Sequence, residues 1–196
     1  MSFSLLISMF IFALAASLSP GPVNLLSLSS SATHGLKTGL IFITGATLGF
    51  ILLFVLIGFG LHYFIDALPW ITQLLQWLGI SFLLYLSYQL FKDSGELSNH
   101  ASQNAPSFMT GAIMQWLNPK AWLASVSGIS TYIPQSTVKE VAVFAWIYLP
   151  TCWLSLAVWV IMGGVLGQYI QSPSKVRLLN RTLALMLAGS CFMLVL

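Results

Sequence analysis

The feature that most constrains this chain is a succession of apolar stretches, each long enough to cross a lipid bilayer, separated by brief polar connectors. They run from about Phe3 to Ser31, Gly39 to Ile65, Leu68 to Phe91, Phe108 to Tyr132, Val138 to Ile170 and Leu178 to Leu196. A helix needs roughly 20 apolar residues to cross about 30 Å of hydrocarbon. The chain is 58% hydrophobic and only 6% charged. Seven Lys and Arg with four Asp and Glu cannot give 196 residues a water-facing surface, so most of that surface must meet lipid. The sequence therefore predicts an all-α integral membrane protein of about six transmembrane helices, forming one domain over residues 1–196.

The net charge of +3 rests on too few groups, without a basic run, to point to nucleic acid. The first stretch reads as a span rather than a cleaved leader, because no Lys or Arg precedes it. Cys152 and Cys191 sit in apolar stretches, where cysteine behaves as a small hydrophobe. No metal or cofactor is expected. With six spans, the connectors after the first, third and fifth carry Lys37, Lys92, Lys175, Arg177 and Arg181, against Lys139 on the other side. Positive charge favours the cytoplasm, which places both termini in the periplasm and the 92–106 connector inside.

Two of the stretches are broken. Ser19-Pro20-Gly21-Pro22 interrupts the first and Asn118-Pro119-Lys120 the fourth, with Pro22 and Pro119 separated by 97 residues, close to half the chain. Three spans per half, about 1–95 and 105–196, force the second half to enter the membrane in the opposite sense. That is the 3+3 inverted-repeat plan of many secondary transporters, with proline-broken helices 1 and 4. Unpaired backbone in lipid costs several kcal/mol, so matched breaks point to a buried, polar site. A plain structural kink is the alternative.

Pro22 suits the first turn of a restarted helix, and Asn118 with Pro119 suits an N-cap followed by the first helical residue. Each restart aims free N–H groups inward, a receptor for a carboxylate. Lys120 at a helix start opposes the helix dipole and has no Asp or Glu partner in any span, so an anionic substrate group is the economical partner; snorkelling to the interface is the other option. The expected substrate-binding set is Pro20, Gly21, Pro22, Val23, Asn24, Asn118, Pro119 and Lys120. Carbonyls freed by Pro20 and Pro22 are candidates for a substrate ammonium. Asn24 and Asn118 serve equally well as caps or helix bridges.

The serines following each break either line a polar path or bond back to their own helices. Gly35, Gly39, Gly45 and Gly49 read as close helix contacts, and Gly163-Gly164 with Gly167 as one option for a homodimer face. Trp116 and Trp122 bracket the second break, and one of them is a candidate cavity wall. His34, His62 and His100 fall in connectors.

Ser19-Pro-Gly-Pro-Val-Asn-Leu-Leu-Ser-Leu-Ser-Ser30, His34-Gly-Leu-Lys37, the Gly45 to Gly49 segment, Leu75-Gln-Trp-Leu-Gly79 and Gln115-Trp-Leu-Asn-Pro-Lys120 resemble the LysE/RhtB family of bacterial amino-acid exporters over nearly the whole chain. Ser29 to Gly35 and Leu48-Gly-Phe50 look most like its cysteine and O-acetylserine branch. The resemblance implies efflux of a small neutral amino acid across a bacterial inner membrane, driven by proton exchange. It also implies an acid where this chain has Phe50, and in some relatives another near Thr151-Cys152-Trp153. With neither present, a buried Lys120 is a candidate to carry the proton, and a uniporter or exchanger without proton coupling is the alternative. The rival reading is a transmembrane thiol-disulfide electron conduit, whose cysteines would flank the breaks, whereas Cys152 and Cys191 lie in spans five and six.

Overall fold

A computed structural model describes residues 1–60, 69–92, 105–169 and 172–192 of the chain. The described residues form eight helices: α1 (Phe3–Leu18), α2 (Pro22–His34), α3 (Leu36–Gly58), α4 (Pro69–Lys92), α5 (Phe108–Trp116), α6 (Pro119–Tyr132), α7 (Val138–Tyr169) and α8 (Pro173–Phe192). Most of the expected 92–106 connector, His62, His100 and the side chain of Cys191 lie outside the described residues.

Local chemistry sets the ends. Ser2 caps α1 by accepting from Leu5 N at 3.3 Å. Ser107 and Thr110 form a reciprocal capping box at the start of α5. Gly35 turns the chain between α2 and α3 with φ 86, a left-handed value that glycine alone adopts freely. It is a turn residue, not the helix contact its spacing suggested, because a Cβ there would touch nothing within 4 Å. The polar connectors shrink accordingly. His34 is the last residue of α2, Leu36 opens α3, and α8 begins at Pro173 so that Lys175 and Arg177 ride on its first turns. Pro173 opens that helix at no cost in hydrogen bonds.

Among the described residues, α3 and α7 are each long and apolar enough to cross a membrane. The α1–α2 pair, bent by 59° at the break, passes the same test if taken as one span. The helix at the centre is the polar one: α2 is buried from Pro22 to Ser31, including Asn24, Ser27, Ser29 and Ser30. Large apolar side chains such as Leu154, Ile161 and Leu185 are exposed outside. Polar side chains gathered inside, beneath an apolar exterior, are what lipid demands.

The main packings are α3 on α5, α2 on α7, α4 on α8, and α3 on α7, with α1 also on α7 and α6 on α3. Small residues allow the closest of them. A Cβ on Gly45 would overlap the Phe108 carbonyl of α5, and one on Gly49 would stand 2.7 Å from Ala112 O. On α7, a Cβ on Gly163 would overlap the Leu28 carbonyl and one on Gly167 would lie 2.6 Å from Ala32 O. The glycine face expected to join two copies is therefore already occupied by the chain's own α2. Removal of the side chain there serves internal backbone approach.

The cations sort by end. Arg181 lies over the Phe91 ring at 5.2 Å, near Lys92, while Asn180 receives the Ser29 hydroxyl at 3.1 Å in the second half of α2. Lys139 belongs to the opposite end, where Gly58 packs on Val141.

Candidate functional site

The first break leaves a row of carbonyls without helical donors, and the chain supplies them from several directions. Ala15 O accepts from Ser19 N, and Ala16 O from Ser19 Oγ at 3.1 Å. Ser17 O takes Asn24 Nδ2 at 2.9 Å. Leu18 O, which proline at position 22 cannot serve, takes the indole Nε1 of Trp159 from α7 at 3.2 Å. Ser19 O and Pro20 O both receive Lys120 Nζ, at 2.5 and 3.4 Å. Each carbonyl from Ala15 to Pro20 thus has a donor, which matters where the surroundings are lipid and no water can supply one.

The donors of the restarted helix are treated differently at the two breaks. Asn118 caps α6, its Oδ1 accepting from Lys120 N at 3.2 Å, and Pro119 is the first helical residue, both as expected. No side chain caps α2, whose first backbone bond runs from Leu25 N to Gly21 O at 3.0 Å. The N–H groups of Val23 and Asn24 stand ahead of that bond, at the positive end of the helix dipole.

Lys120 joins the breaks. Within the chain its partners are the carbonyls of Ser19 and Pro20, two of those expected to face a substrate ammonium. The fit is close, since a Cβ on Gly21 would meet Lys120 Cδ at 3.1 Å and Nζ at 3.2 Å.

Beside this junction lies a cavity of about 40 Å³. On the polar side it is lined by Ser17, Val23, Asn24, Gln115, Asn118 and Lys120. Phe50 of α3 and Tyr148, Cys152 and Leu156 of α7 form the other wall, with Ala121 and Ala124 between. Of the expected residues, Val23, Asn24, Asn118 and Lys120 line the cavity directly. Pro20 contributes its carbonyl, Gly21 the space beside the lysine, and Pro22 and Pro119 the two restarts. Trp116 and Trp122 do not line it; the Trp122 indole instead donates to Trp116 O at 2.7 Å across the second break.

The α3 and α7 wall was legible only in part. Phe50 and Cys152 fall where the family resemblance implies acids, while Tyr148 carries no sequence signal at all. Cys152 also overturns the argument from span number, because α7 brings its thiol beside the breaks, where it receives the Thr47 hydroxyl at 4.0 Å. Thr47 and Cys152 stand near the middles of α3 and α7, so the cavity sits at mid-height in the bundle.

The family model described as LysE type translocator matches residues 14–196. The chain belongs to the LysE family of translocators. A cysteine/O-acetylserine efflux protein of Klebsiella pneumoniae is 30% identical over 137 residues, 69% of each chain. Proteins of the same description from Salmonella choleraesuis and Escherichia coli O157:H7 are each 28% identical over 68% of both chains. No solved structure matches the chain. Membership in the LysE family, with spanning apolar helices, makes this a multi-pass membrane transporter. The matched region takes in both breaks and every cavity-lining residue.

Proposed function

We propose that this LysE-family translocator exports a small neutral amino acid or derivative, such as cysteine, O-acetylserine, homoserine or threonine, across the bacterial inner membrane. The observation that carries this reading is the Lys120 bridge beside a mid-height cavity, next to an uncapped helix start. A substrate carboxylate arriving there would take the N–H groups of Val23 and Asn24 and draw the Lys120 ammonium from the carbonyls of Ser19 and Pro20. The amides of Gln115 and Asn118 offer oxygens to the substrate ammonium. Relatives described as cysteine/O-acetylserine efflux proteins support the substrate class.

The reading includes alternating access between two inverted halves. In support, the packing pairs exchange under the repeat: α1 on α7 answers α5 on α3, and α2 on α7 answers α6 on α3. A cavity of about 40 Å³ is far below the roughly 300 Å³ of a ligand pocket, so loading requires the halves to part. Lys120, releasing its ammonium from the carbonyls, is the candidate to couple this movement to proton exchange. The end bearing Lys37, Lys92 and Arg181 is assigned to the cytoplasm, which leaves the termini in the periplasm. The thiol conduit is not favoured, since its partner for Cys152 would have to come from a second thiol at the cavity.

Uptake of labelled cysteine, O-acetylserine, threonine, leucine and lysine into inside-out vesicles tests the proposal. Saturable, proton-gradient-stimulated uptake of one neutral amino acid is expected. Uptake of none of them, with folded protein present, would contradict it.

A further inference from the structure

The cavity has two chemically different sides, and only one is accounted for by the amino-acid backbone of a substrate. The other side is aromatic and aliphatic, from Phe50, Tyr148 and Leu156, with the Cys152 thiol already receiving the Thr47 hydroxyl. The Tyr148 hydroxyl is different. It is buried and has no hydrogen-bond partner among the described residues, on a residue only 1% exposed.

Nor can that hydroxyl move to find one. The Tyr148 ring is packed against Phe50 at 4.6 Å, Phe54 at 5.3 Å and Phe144 at 5.6 Å between centroids. Phenylalanine would fill the same space without burying an unpaired donor, and buried polar groups ordinarily find partners. An unpaired donor on a residue of the cavity wall, closed off in this conformation, is a preorganised contact for something that enters as the bundle opens.

We propose that Tyr148 reads the side chain of the transported amino acid, donating a hydrogen bond to a neutral oxygen in a hydroxyl or ester. The inference rests on the export reading above. The wall formed by α3 and α7 carries no Asp, Glu, Lys or Arg among its described lining residues, and Lys120 on the opposite side is the partner of the substrate carboxylate, so a charged side chain would meet that wall without a counter-ion of its own. Ala121 and Ala124 leave space beside that wall for a small side chain. The class selected is therefore small, uncharged and oxygen-bearing.

The test uses the intact chain in proteoliposomes and compares wild type with Tyr148→Phe. Competition against uptake of the labelled substrate is measured for serine against alanine, and for O-acetylserine against the apolar 2-aminohexanoate. Wild type is expected to prefer the oxygen-bearing member of each pair, and Tyr148→Phe to lose that preference by up to roughly tenfold while alanine competes as before. Thermal stability should not fall, because no hydrogen bond of the free protein is removed. An unchanged preference in Tyr148→Phe would overturn the proposal, and so would an equal loss for both members of each pair, the mark of a structural role. If wild type takes up no amino acid, the export reading itself has failed and the inference falls with it.

Discussion

The ammonium of Lys120 donates to the carbonyl oxygen of Ser19 at 2.5 Å, across 101 residues of sequence, and so fastens the start of α6 to the end of α1. Both ends of this bond are products of a proline break. The carbonyl is free because the helix stops, and the lysine is near because another helix starts. A substrate carboxylate competing for the ammonium would loosen this bond between α1 and α6.

Gly21 gives a graded way to disturb this bond. Its backbone is extended, with φ −171, so alanine is tolerated there, yet the added methyl would stand 3.2 Å from Lys120 Nζ. Gly21→Ala should fold and raise the half-saturating substrate concentration by about tenfold, the worth of one charge-assisted hydrogen bond. An unaltered value in transport assays would separate Gly21 from the lysine.

Trp159→Phe tests the accounting at the first break. It leaves Leu18 O without its indole donor while keeping most of the packing. The variant should lose about 1 kcal/mol of stability, read as a lower melting temperature in detergent, with substrate preference retained. A melting temperature equal to wild type would show that the indole is not needed there.

Two glycines on long helices should respond in opposite ways. Alanine at Gly163 overlaps the Leu28 carbonyl and should force α2 and α7 apart at a cost of about 3 kcal/mol or more, seen as poor recovery of folded protein. Alanine at Gly189 meets nothing within 4 Å and should be neutral or mildly stabilising. Equal behaviour of the two variants would contradict the close packing of α2 on α7.

Cys152 reports on the cavity directly. It is 4% exposed, so methyl methanethiosulfonate, applied in a Cys191→Ala background, should modify it slowly and only as the bundle opens. Added substrate should slow the modification further, as mass spectrometry would show. Modification indifferent to every transported amino acid would place the substrate elsewhere.

The breaks were readable in the sequence because proline and asparagine act locally: Pro22 and Pro119 open helices and Asn118 caps one wherever the rest of the chain lies. The partner of Lys120 was not readable, since Ser19 and Pro20 offer it only backbone oxygen, which every residue has. Tyr148 was hidden for a related reason. An aromatic residue in an apolar stretch looks like core, and most of Tyr148 is core; only the missing hydrogen-bond partner of its buried hydroxyl marks it. Glycine spacing announced close contact on α3 and α7 but could not say with what, and on α7 the answer was the chain's own α2.

The most direct test of the central claim, that substrate is held at the junction Lys120 makes between the breaks, is uptake by Lys120→Ala. The variant loses the hydrogen bonds to Ser19 O and Pro20 O with the packing of the lysine stem beside Gly21, and should remain folded at a cost of about 1–2 kcal/mol. Measured in inside-out vesicles at matched levels of folded protein, it should show no saturable uptake of the amino acid that wild type transports. Uptake with wild-type affinity and rate would contradict the account.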